Sequence, residues 1–376
     1  MIMIENKHQH FMLQALIESR KARSLSSPNP NVGALLVKNN RIISRGHTQI
    51  PGKDHAEIAA LKKAPYNLKG VSLYVTMEPC SHYGKTPPCT DMIIKRGVKK
   101  VIIGIKDPHK LVHGKGVLQL RQNNISVITD VLKDKINQEL QWYLKYTIKK
   151  TPYVTLKSGI SLDGCTTDYQ QSSRWITSVN ARMLSQTLRL ENDGIIAGIK
   201  TIMKDNPFLT YRGKKRKQLF YRIVLDTNFS IQKNATVLKN SEGHKTIIAI
   251  SRQCPNMLKI QEFKKRNIDI ILCKTRNDLI DLKDLLIQLG NRGIAKLIVE
   301  GGSTVNYSFL KYDLADKLQL SIAPILLGGV ESKGLIQGKG FPLQMHKKVQ
   351  NGKFYNHLSD NFIFEGYLHH YVYRNH

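Results

Sequence analysis

Acidic residues are scarce in this sequence. Twenty-eight Asp and Glu stand against 58 Lys and Arg, a formal charge of +30 over 376 residues. No apolar run approaches the ~18 residues of a membrane-spanning helix, so no membrane partner is expected. There are only five cysteines. Cys165, Cys254 and Cys273 are scattered without framework spacing, which excludes a disulfide-stapled fold and suits a reducing cytoplasm. Short internal repeats, low-complexity segments and the G-x-G-x-x-G fingerprint are all missing, so an ordinary Rossmann assignment is not supported. The positive charge is spread along the chain rather than gathered in one arm. Its densest run, Arg212-Gly213-Lys214-Lys215-Arg216-Lys217, reads as a solvated loop. Lys, Asn and Ile are frequent throughout, as under AT-biased coding. Charge of this kind helps attract phosphorylated ligands.

What is present suffices for globular cores, with 41% hydrophobic residues. A length of 376 residues suggests two or three domains. Met1 to Arg23 mixes charged residues with Phe11, Leu13, Leu16 and Ile17, an amphipathic helix rather than the continuous apolar core of a signal peptide.

The chemistry concentrates between His55 and Cys89. His55-Ala56-Glu57 is followed by a strand-like run, then Pro79-Cys80, and Cys89 after eight intervening residues. A catalytic zinc takes three protein ligands and keeps a fourth position for water. His55, Cys80 and Cys89 supply the three. Glu57 is then the general acid/base, because the zinc deaminase signature uses a Glu that is not a ligand. A zinc-activated water would attack an amino-bearing ring carbon. A purely structural zinc site would want a fourth Cys or His, and His82 is the nearby candidate. His55 and Glu57 are expected on the first turn of a helix through Leu61. Pro79 suits the start of a second helical turn, where a cysteine would have a lowered pKa.

Along the first half, Ala34 to Val37, Ile42 to Gly46, Val71 to Val75, Val101 to Ile105 and Ile125 to Ile128 read as strands. Gly114 to Arg121 and Lys133 to Lys149 read as helices. Lys149-Lys150-Thr151-Pro152 breaks the pattern, so the boundary is placed between residues 1–149 and 150–376. The second half repeats the alternation. Strands are expected at Tyr153 to Lys157, Gly194 to Ala197, Ile223 to Leu225, Thr246 to Ile250, Ile268 to Leu272 and Leu297 to Val299. Helices are expected at Asn180 to Leu190, Asp278 to Leu289 and Ser303 to Leu310. Such alternation means sheets covered by helices, an α/β class in both domains. Glu300-Gly301-Gly302-Ser303-Thr304 joins a strand to a helix. Glycines there let backbone N–H groups approach a phosphate, although a plain turn has the same sequence.

Taken in order, these segments resemble one family over nearly the whole chain. Pro28-Asn29-Pro30-Asn31-Val32-Gly33, His55-Ala56-Glu57 and Glu78-Pro79-Cys80 through Cys89 resemble the riboflavin-biosynthesis pyrimidine deaminase, with its cytidine-deaminase-like α/β/α sandwich. Lys157 to Gly164, Ser173 to Thr177, Asp205 to Arg212 and Glu300-Gly301-Gly302 resemble the reductase fused to it, of dihydrofolate-reductase-like fold. The resemblance implies two reactions. A ribosylaminopyrimidine phosphate loses its ring amino group at zinc, and NADPH then reduces the ribosyl group to a ribityl chain, giving 5-amino-6-(5-phosphoribitylamino)uracil. It further implies that Gly159, Trp175, Thr201, Asp205 and Thr227 lie near the dinucleotide. Gly302, Ser303, Thr304, Val305, Asn306, Tyr307 and Ser308 would cradle its phosphates. Ser173, Arg189, Leu209, Arg212 and Glu300 would hold the ribosyl phosphate. Asn29 would hold the pyrimidine. Lys157 and Asp163 are either helpers in ring opening or a strand-end ion pair. Cys165 and Lys110 depart from the pattern, and Thr201-Ile202-Met203 matches it loosely. A homo-oligomer is compatible with the resemblance.

Two rivals remain at this stage. A tRNA adenosine deaminase shares the zinc logic, but it normally spaces its cysteines P-C-x-x-C, and residues beyond about 150 would have no role. A basic nucleic-acid-binding protein on a deaminase fold has no need of His55, Glu57, Cys80 and Cys89 together.

Overall fold

A computed structural model describes residues 2–84, 86–109, 112–172, 176–213, 218–254, 256–358, 360–369 and 371. Two compact units form. One is built from Met1–Lys150 and includes Tyr371; the other is Thr151–His370. Tyr371 exchanges two hydrogen bonds with the Gln141 side chain, at 2.5 and 2.6 Å.

The first unit runs α1 (Ile2–Ser19), β1 (Gly33–Lys38), β2 (Arg41–His47), α2 (Ala56–Lys63), β3 (Ser72–Met77), α3 (Cys89–Lys95), β4 (Lys100–Ile105), α4 (Lys115–Gln122), β5 (Ser126–Ile128), α5 (Lys133–Glu139) and α6 (Gln141–Lys149). The sheet order is β2-β1-β3-β4-β5. β1 pairs antiparallel with β2 and β3, while β3, β4 and β5 are parallel. Two glycines show how helices cover it. A Cβ on Gly33 would lie 2.0 Å from the Ala15 carbonyl of α1, and one on Gly46 would lie 2.3 Å from the Ala56 carbonyl of α2. Gly46 pairs with Ala34, the neighbour of Gly33. Successive strand residues face opposite sides, so α1 and α2 cover opposite faces. The close approach at Gly46 seats the first turn of α2 on the end of β2.

Lys133 to Lys149 is two helices, not one. Leu140 interrupts them with φ −103° and ψ 16°. Around the break, Glu139 accepts from Arg23 at 2.6 and 2.7 Å, and the Trp142 indole donates to Asn31 at 3.0 Å.

The second unit runs β6 (Tyr153–Ser161), α7 (Val179–Glu191), β7 (Gly194–Gly198), α8 (Ile199–Asp205), β8 (Phe220–Leu225), β9 (His244–Ser251), α9 (Met257–Lys265), β10 (Asp269–Cys273), β11 (Thr275–Arg276), β12 (Leu279–Ile280), α10 (Leu282–Asn291), β13 (Lys296–Val299), α11 (Ser303–Lys311), β14 (Lys317–Ala323), β15 (Gln350–Leu358) and β16 (Asn361–Tyr367). Nine strands form one sheet, ordered β10-β9-β8-β7-β13-β6-β14-β16-β15. It is parallel from β10 to β14 and antiparallel through β16 and β15. Adjacent strand residues feed separate cores. Ile196, Ile223 and Ile247 join Leu285, Leu289 and Phe309 on one side; Ile195, Val224 and Ile248 join Phe263 on the other. Burial of both faces is why these strands read as unbroken apolar runs. The helix expected from Asp278 starts later, at Leu282, because Leu279–Ile280 pairs back on Thr275–Arg276. Among the described residues no helix is long and apolar enough to cross a membrane.

Gly33→Ala tests the α1 seat. The added carbon meets helix backbone, at 2.0 Å from the Ala15 carbonyl and 2.7 Å from the Ser19 nitrogen, which cannot rotate away. Overpacking of this kind costs about 1–3 kcal/mol. Thermal unfolding followed by circular dichroism is expected to show the first unit melting several degrees lower.

Candidate metal centre and strand-end site

Three donors converge in the first unit. His55 is the N-cap of α2, with extended backbone at φ −72° and ψ 167°. Its Nδ1 lies 3.5 Å from Cys80 Sγ and 3.3 Å from Cys89 Sγ. All three donor atoms fall within 4.8 Å of one another. Tetrahedral zinc at ~2.1 Å from nitrogen and ~2.3 Å from sulfur spaces its ligands about 3.6 Å apart. The donor types and their separations fit that ion, with Nδ1 as the imidazole ligand atom.

The helical start expected at Pro79 is absent. Cys80 lies in an irregular segment, and Cys89 is the first residue of α3 behind the N-cap Pro88. The loop carries Pro87 and Pro88 directly ahead of Cys89, and proline favours a helix start rather than its interior. Cys80 is nonetheless the easier thiol to ionise. A hydrogen bond from the Cys89 side chain, with others from His55 and the Cys89 N–H, pulls it down to about 4. The same sulfur pair, with burial, pushes Cys89 well above its ordinary value. Hydrogen bonding to Cys80 raises His55 to about 9.

Glu57 is buried, at 4% exposure, on the first turn of α2. Burial, against the attraction of His55, lifts its carboxyl to about 7. A carboxyl poised near neutrality suits proton transfer in both directions. Asn29 is half-buried in the turn ahead of β1, where its N–H donates to the Ser26 carbonyl at 2.8 Å.

Glu78 enters the sequence reading only as part of the Glu-Pro-Cys motif, with no role of its own. Its buried carboxylate accepts N–H bonds from Asp107 at 3.2 Å, Gly114 at 3.0 Å and Val117 at 3.0 Å. An acidic residue directly ahead of Pro-Cys is the signal that could have exposed it.

In the second unit, four positions collect at the C-terminal ends of neighbouring parallel strands, the edge where open α/β sheets bind ligands. Gly159 lies on β6, Thr201 follows β7, Thr227 follows β8 and Gly302 follows β13. A Cβ on Gly159 would lie 2.9 Å from Thr177, and one on Gly302 would lie 3.4 Å from Thr201 Oγ1. Gly302 has φ +78°, a conformation glycine adopts without penalty. It precedes α11, whose first N–H groups lack intrahelical partners. This is a cradle that fits a phosphate. Asp205 ends α8.

The α11 side chains mostly serve other purposes. Ser303 Oγ donates to the Gly334 carbonyl at 2.5 Å. Asn306, 1% exposed, donates to Ser158 Oγ at 3.2 Å and the Leu335 carbonyl at 3.1 Å. Tyr307 packs on Phe341, Val305 lies against Gly301, and Ser308 bonds back to the Thr304 carbonyl. Backbone, rather than side chains, is what this helix start offers a cofactor.

Glu300 sits between two cations. Arg189 reaches it at 2.8 Å and Lys157 at 3.8 Å, and Arg189 also donates to the Thr210 carbonyl at 2.8 Å. Burial pushes the Glu300 carboxyl up, but Arg189 and Lys157 outweigh it and hold it at about 2. Lys157 therefore pairs with Glu300 and not with Asp163. Asp163 instead accepts from Ser161 Oγ at 2.5 Å and the Gly328 N–H at 2.7 Å, anchoring a turn. The Leu209 side chain is buried in the apolar core, and its backbone is left-handed at φ +53°. Only its main chain can face a substrate. Arg212 is exposed, with its N–H bonded to Gln186 at 2.9 Å. Ser173 and Trp175 lie outside the described residues.

Residues 5–105 match the family described as the cytidine and deoxycytidylate deaminase zinc-binding region, and residues 152–353 match the RibD C-terminal domain. The chain is 37% identical over 346 residues to riboflavin biosynthesis protein RibD of Bacillus amyloliquefaciens, covering 92% of each. It is 36% identical over 330 residues to the protein of that name from Actinobacillus pleuropneumoniae, covering 88% of this chain and 87% of the relative. Among solved structures it is similar to Acinetobacter baumannii RibD, with TM-score 0.84 and 29% identity, over 96% of this chain and 99% of that one. It is also similar to a diaminohydroxyphosphoribosylaminopyrimidine deaminase/5-amino-6-(5-phosphoribosylamino)uracil reductase from Thermotoga maritima, with TM-score 0.83 and 31% identity over the same shares.

The Glu300 cluster has a pH signature. Its folded carboxyl titrates at about 2 against an ordinary 4.5. The group therefore contributes stability above about pH 4.5 and loses it as pH falls toward 2, up to roughly 3 kcal/mol in all at ~1.4 kcal/mol per unit. Glu300→Gln lacks this component. Denaturant unfolding of both proteins is expected to show their stability difference shrinking by that order between pH 5 and pH 2.

Proposed function

This chain belongs to the bifunctional deaminase–reductase family of riboflavin biosynthesis, and on that premise we propose how its residues divide the two reactions. The chain is a zinc-dependent aminopyrimidine deaminase fused to a reductase. Residues 1–149 are assigned to deamination and 150–376 to reduction. The observation that carries the reading is the His55, Cys80 and Cys89 donor set, within 4.8 Å, with buried Glu57 two residues from the histidine.

His55, Cys80 and Cys89 would hold one zinc per chain, which would supply a polarised water for attack on the pyrimidine carbon bearing the amino group. Glu57 takes one proton of the water and passes it to the ring nitrogen, then takes the remaining proton from the new hydroxyl and passes it to the departing ammonia, a two-way transfer that suits a buried carboxyl raised toward neutrality. Asn29 holds the pyrimidine.

In the second unit we assign the dinucleotide to the strand-end cradle at Gly159, Trp175, Thr201, Asp205, Thr227 and Gly302 to Ser308. NADPH bound there would supply hydride for C1′ of the ribosyl group, and the N–H groups opening α11 would hold its phosphates. Arg212 grips the substrate phosphate by charge-assisted bonds, with Ser173 and the Leu209 main chain beside it. Arg189 and Glu300 act as a pair. Their ion bridge holds Glu300 ionised and Arg189 fixed, so the ribosyl hydroxyls meet an oriented acceptor. The substrate is the phosphorylated ribosylaminopyrimidine, and the product is 5-amino-6-(5-phosphoribitylamino)uracil. All five cysteines are unbridged, which supports a cytoplasmic setting. Family membership accounts for both halves of the chain, whereas a tRNA deaminase accounts for one.

Two variants test the division of labour. Glu57→Gln is expected to lower ammonia release by about 10²–10⁴-fold, with zinc content unchanged and NADPH oxidation on deaminated substrate intact. Arg212→Ala is expected to raise KM for that substrate while ammonia release continues. Assays run separately for ammonia and for absorbance at the nicotinamide band decide it. Loss of both activities from either change in a folded protein would defeat the two-site assignment.

A further inference from the structure

Resting on the zinc reading above, we propose that α4, which carries no metal ligand, is the scaffold that presents both cysteines to the metal. It acts through two contacts, one for each sulfur. Glu78, two residues before Cys80, spreads its buried carboxylate over the start of α4. There it accepts from Gly114 at 3.0 Å and Val117 at 3.0 Å, and from Asp107 in the preceding turn at 3.2 Å. Anions are favoured at a helix N-terminus by the unpaired N–H groups and the dipole. The fit is close. A Cβ on Gly116 would stand 2.2 Å from the Pro79 carbonyl and 3.2 Å from Glu78 Cγ. The chain entering Cys80 therefore lies directly on α4.

The second contact comes from Gln119, one turn further along. Its Oε1 accepts from the Thr90 hydroxyl at 2.7 Å, and its Nε2 donates to Asp91 at 2.9 Å. Thr90 and Asp91 follow Cys89 on the first turn of α3. The fully buried Thr90 closes the frame, because its N–H donates to the Cys80 carbonyl at 3.2 Å. Glu78 thus fixes Cys80 from the front of α4, Gln119 fixes the start of α3 from its middle, and Thr90 ties the two segments together. Glu78, Thr90 and Gln119 are positioning residues; none donates to the metal.

Outer partners of metal ligands typically contribute 10–100-fold in affinity. The test measures zinc affinity by competition with a chromophoric chelator on the full chain, with circular dichroism recorded for each variant. Gln119→Leu and Thr90→Val are each expected to weaken zinc binding by about that factor, with helix content retained. Thr90→Ser, which keeps the hydroxyl, is expected to bind zinc as the parent does. Combining Gln119→Leu with Thr90→Val should add less than the product of the single effects, since both break one contact. Glu78→Gln should weaken zinc binding as well, and if it fails to fold the Gln119 and Thr90 arms decide. Parent-like zinc affinity in folded Gln119→Leu and Thr90→Val overturns the proposal while leaving the zinc reading intact. A parent chain that takes up no zinc overturns both.

Discussion

Two sulfurs and an imidazole nitrogen packed within 4.8 Å of one another form a donor cluster of the kind that holds a tetrahedral cation. Cys89 is fully buried, and its thiol is pushed up while that of Cys80 is pulled down. One proton between two sulfurs is what the pocket tolerates by itself. A divalent ion removes that limit, because a coordinating thiol is deprotonated outright. The layout of the first unit follows from that convergence. Gly46 brings α2 onto the end of β2 and so delivers His55. β3 delivers Cys80, and the proline-closed loop delivers Cys89 at the head of α3. Glu57 comes with His55 on the same turn, buried enough to hold its proton near neutrality.

The second unit solves a different problem, that of holding charge without metal. Glu300 is kept ionised in a mostly buried place by Arg189 and Lys157. Removing one partner of such a group costs more than the pair contributes, because the remaining charge is left buried. The arrangement therefore fixes geometry as well as favouring the folded state wherever Glu300 is ionised. Arg189 spends its second nitrogen on the Thr210 carbonyl and so ties the segment carrying Leu209 and Arg212 to the same cluster.

The convergence of His55, Cys80 and Cys89 could be anticipated because the expectation rested on side-chain identity and spacing. His55, Glu57, Cys80 and Cys89 are rare residue types in a fixed order, and folding had only to bring them together. The helical start misplaced at Pro79 shows the limit. A Pro-Cys pair looks alike at a helix start and in a loop, and of the two pairs here it is Pro88-Cys89 that opens a helix, with Pro88 as the N-cap of α3. Glu78 went without a role for a related reason. Its partners are backbone N–H groups of residues 29 and more positions away, and backbone leaves no mark on sequence. Leu209 carried a substrate role by resemblance, yet its side chain is core. Strands β14 to β16 gave no signal comparable to the continuous apolar runs of β7, β9 and β13. Residues 350–354 of β15 are all exposed, so this stretch has no buried face to imprint an apolar alternation on the sequence.

The contrast between the two sites explains why one motif was specific and the other weak. The deaminase site spends side chains, so each substitution there changes the donor set. The strand-end site spends backbone. Gly302 contributes the absence of a Cβ, and α11 contributes N–H groups that nearly any residue would supply. Three α11 side chains turn inward, Ser303 and Asn306 to the 334–335 carbonyls and Val305 to Gly301. They hold the start of the helix in place. Their identities report packing rather than ligand, which is why Glu300-Gly301-Gly302 in isolation could not be told from a plain turn. The sheet order gave it meaning, by setting Gly302 beside Thr201 and in line with Gly159 and Thr227 along one edge.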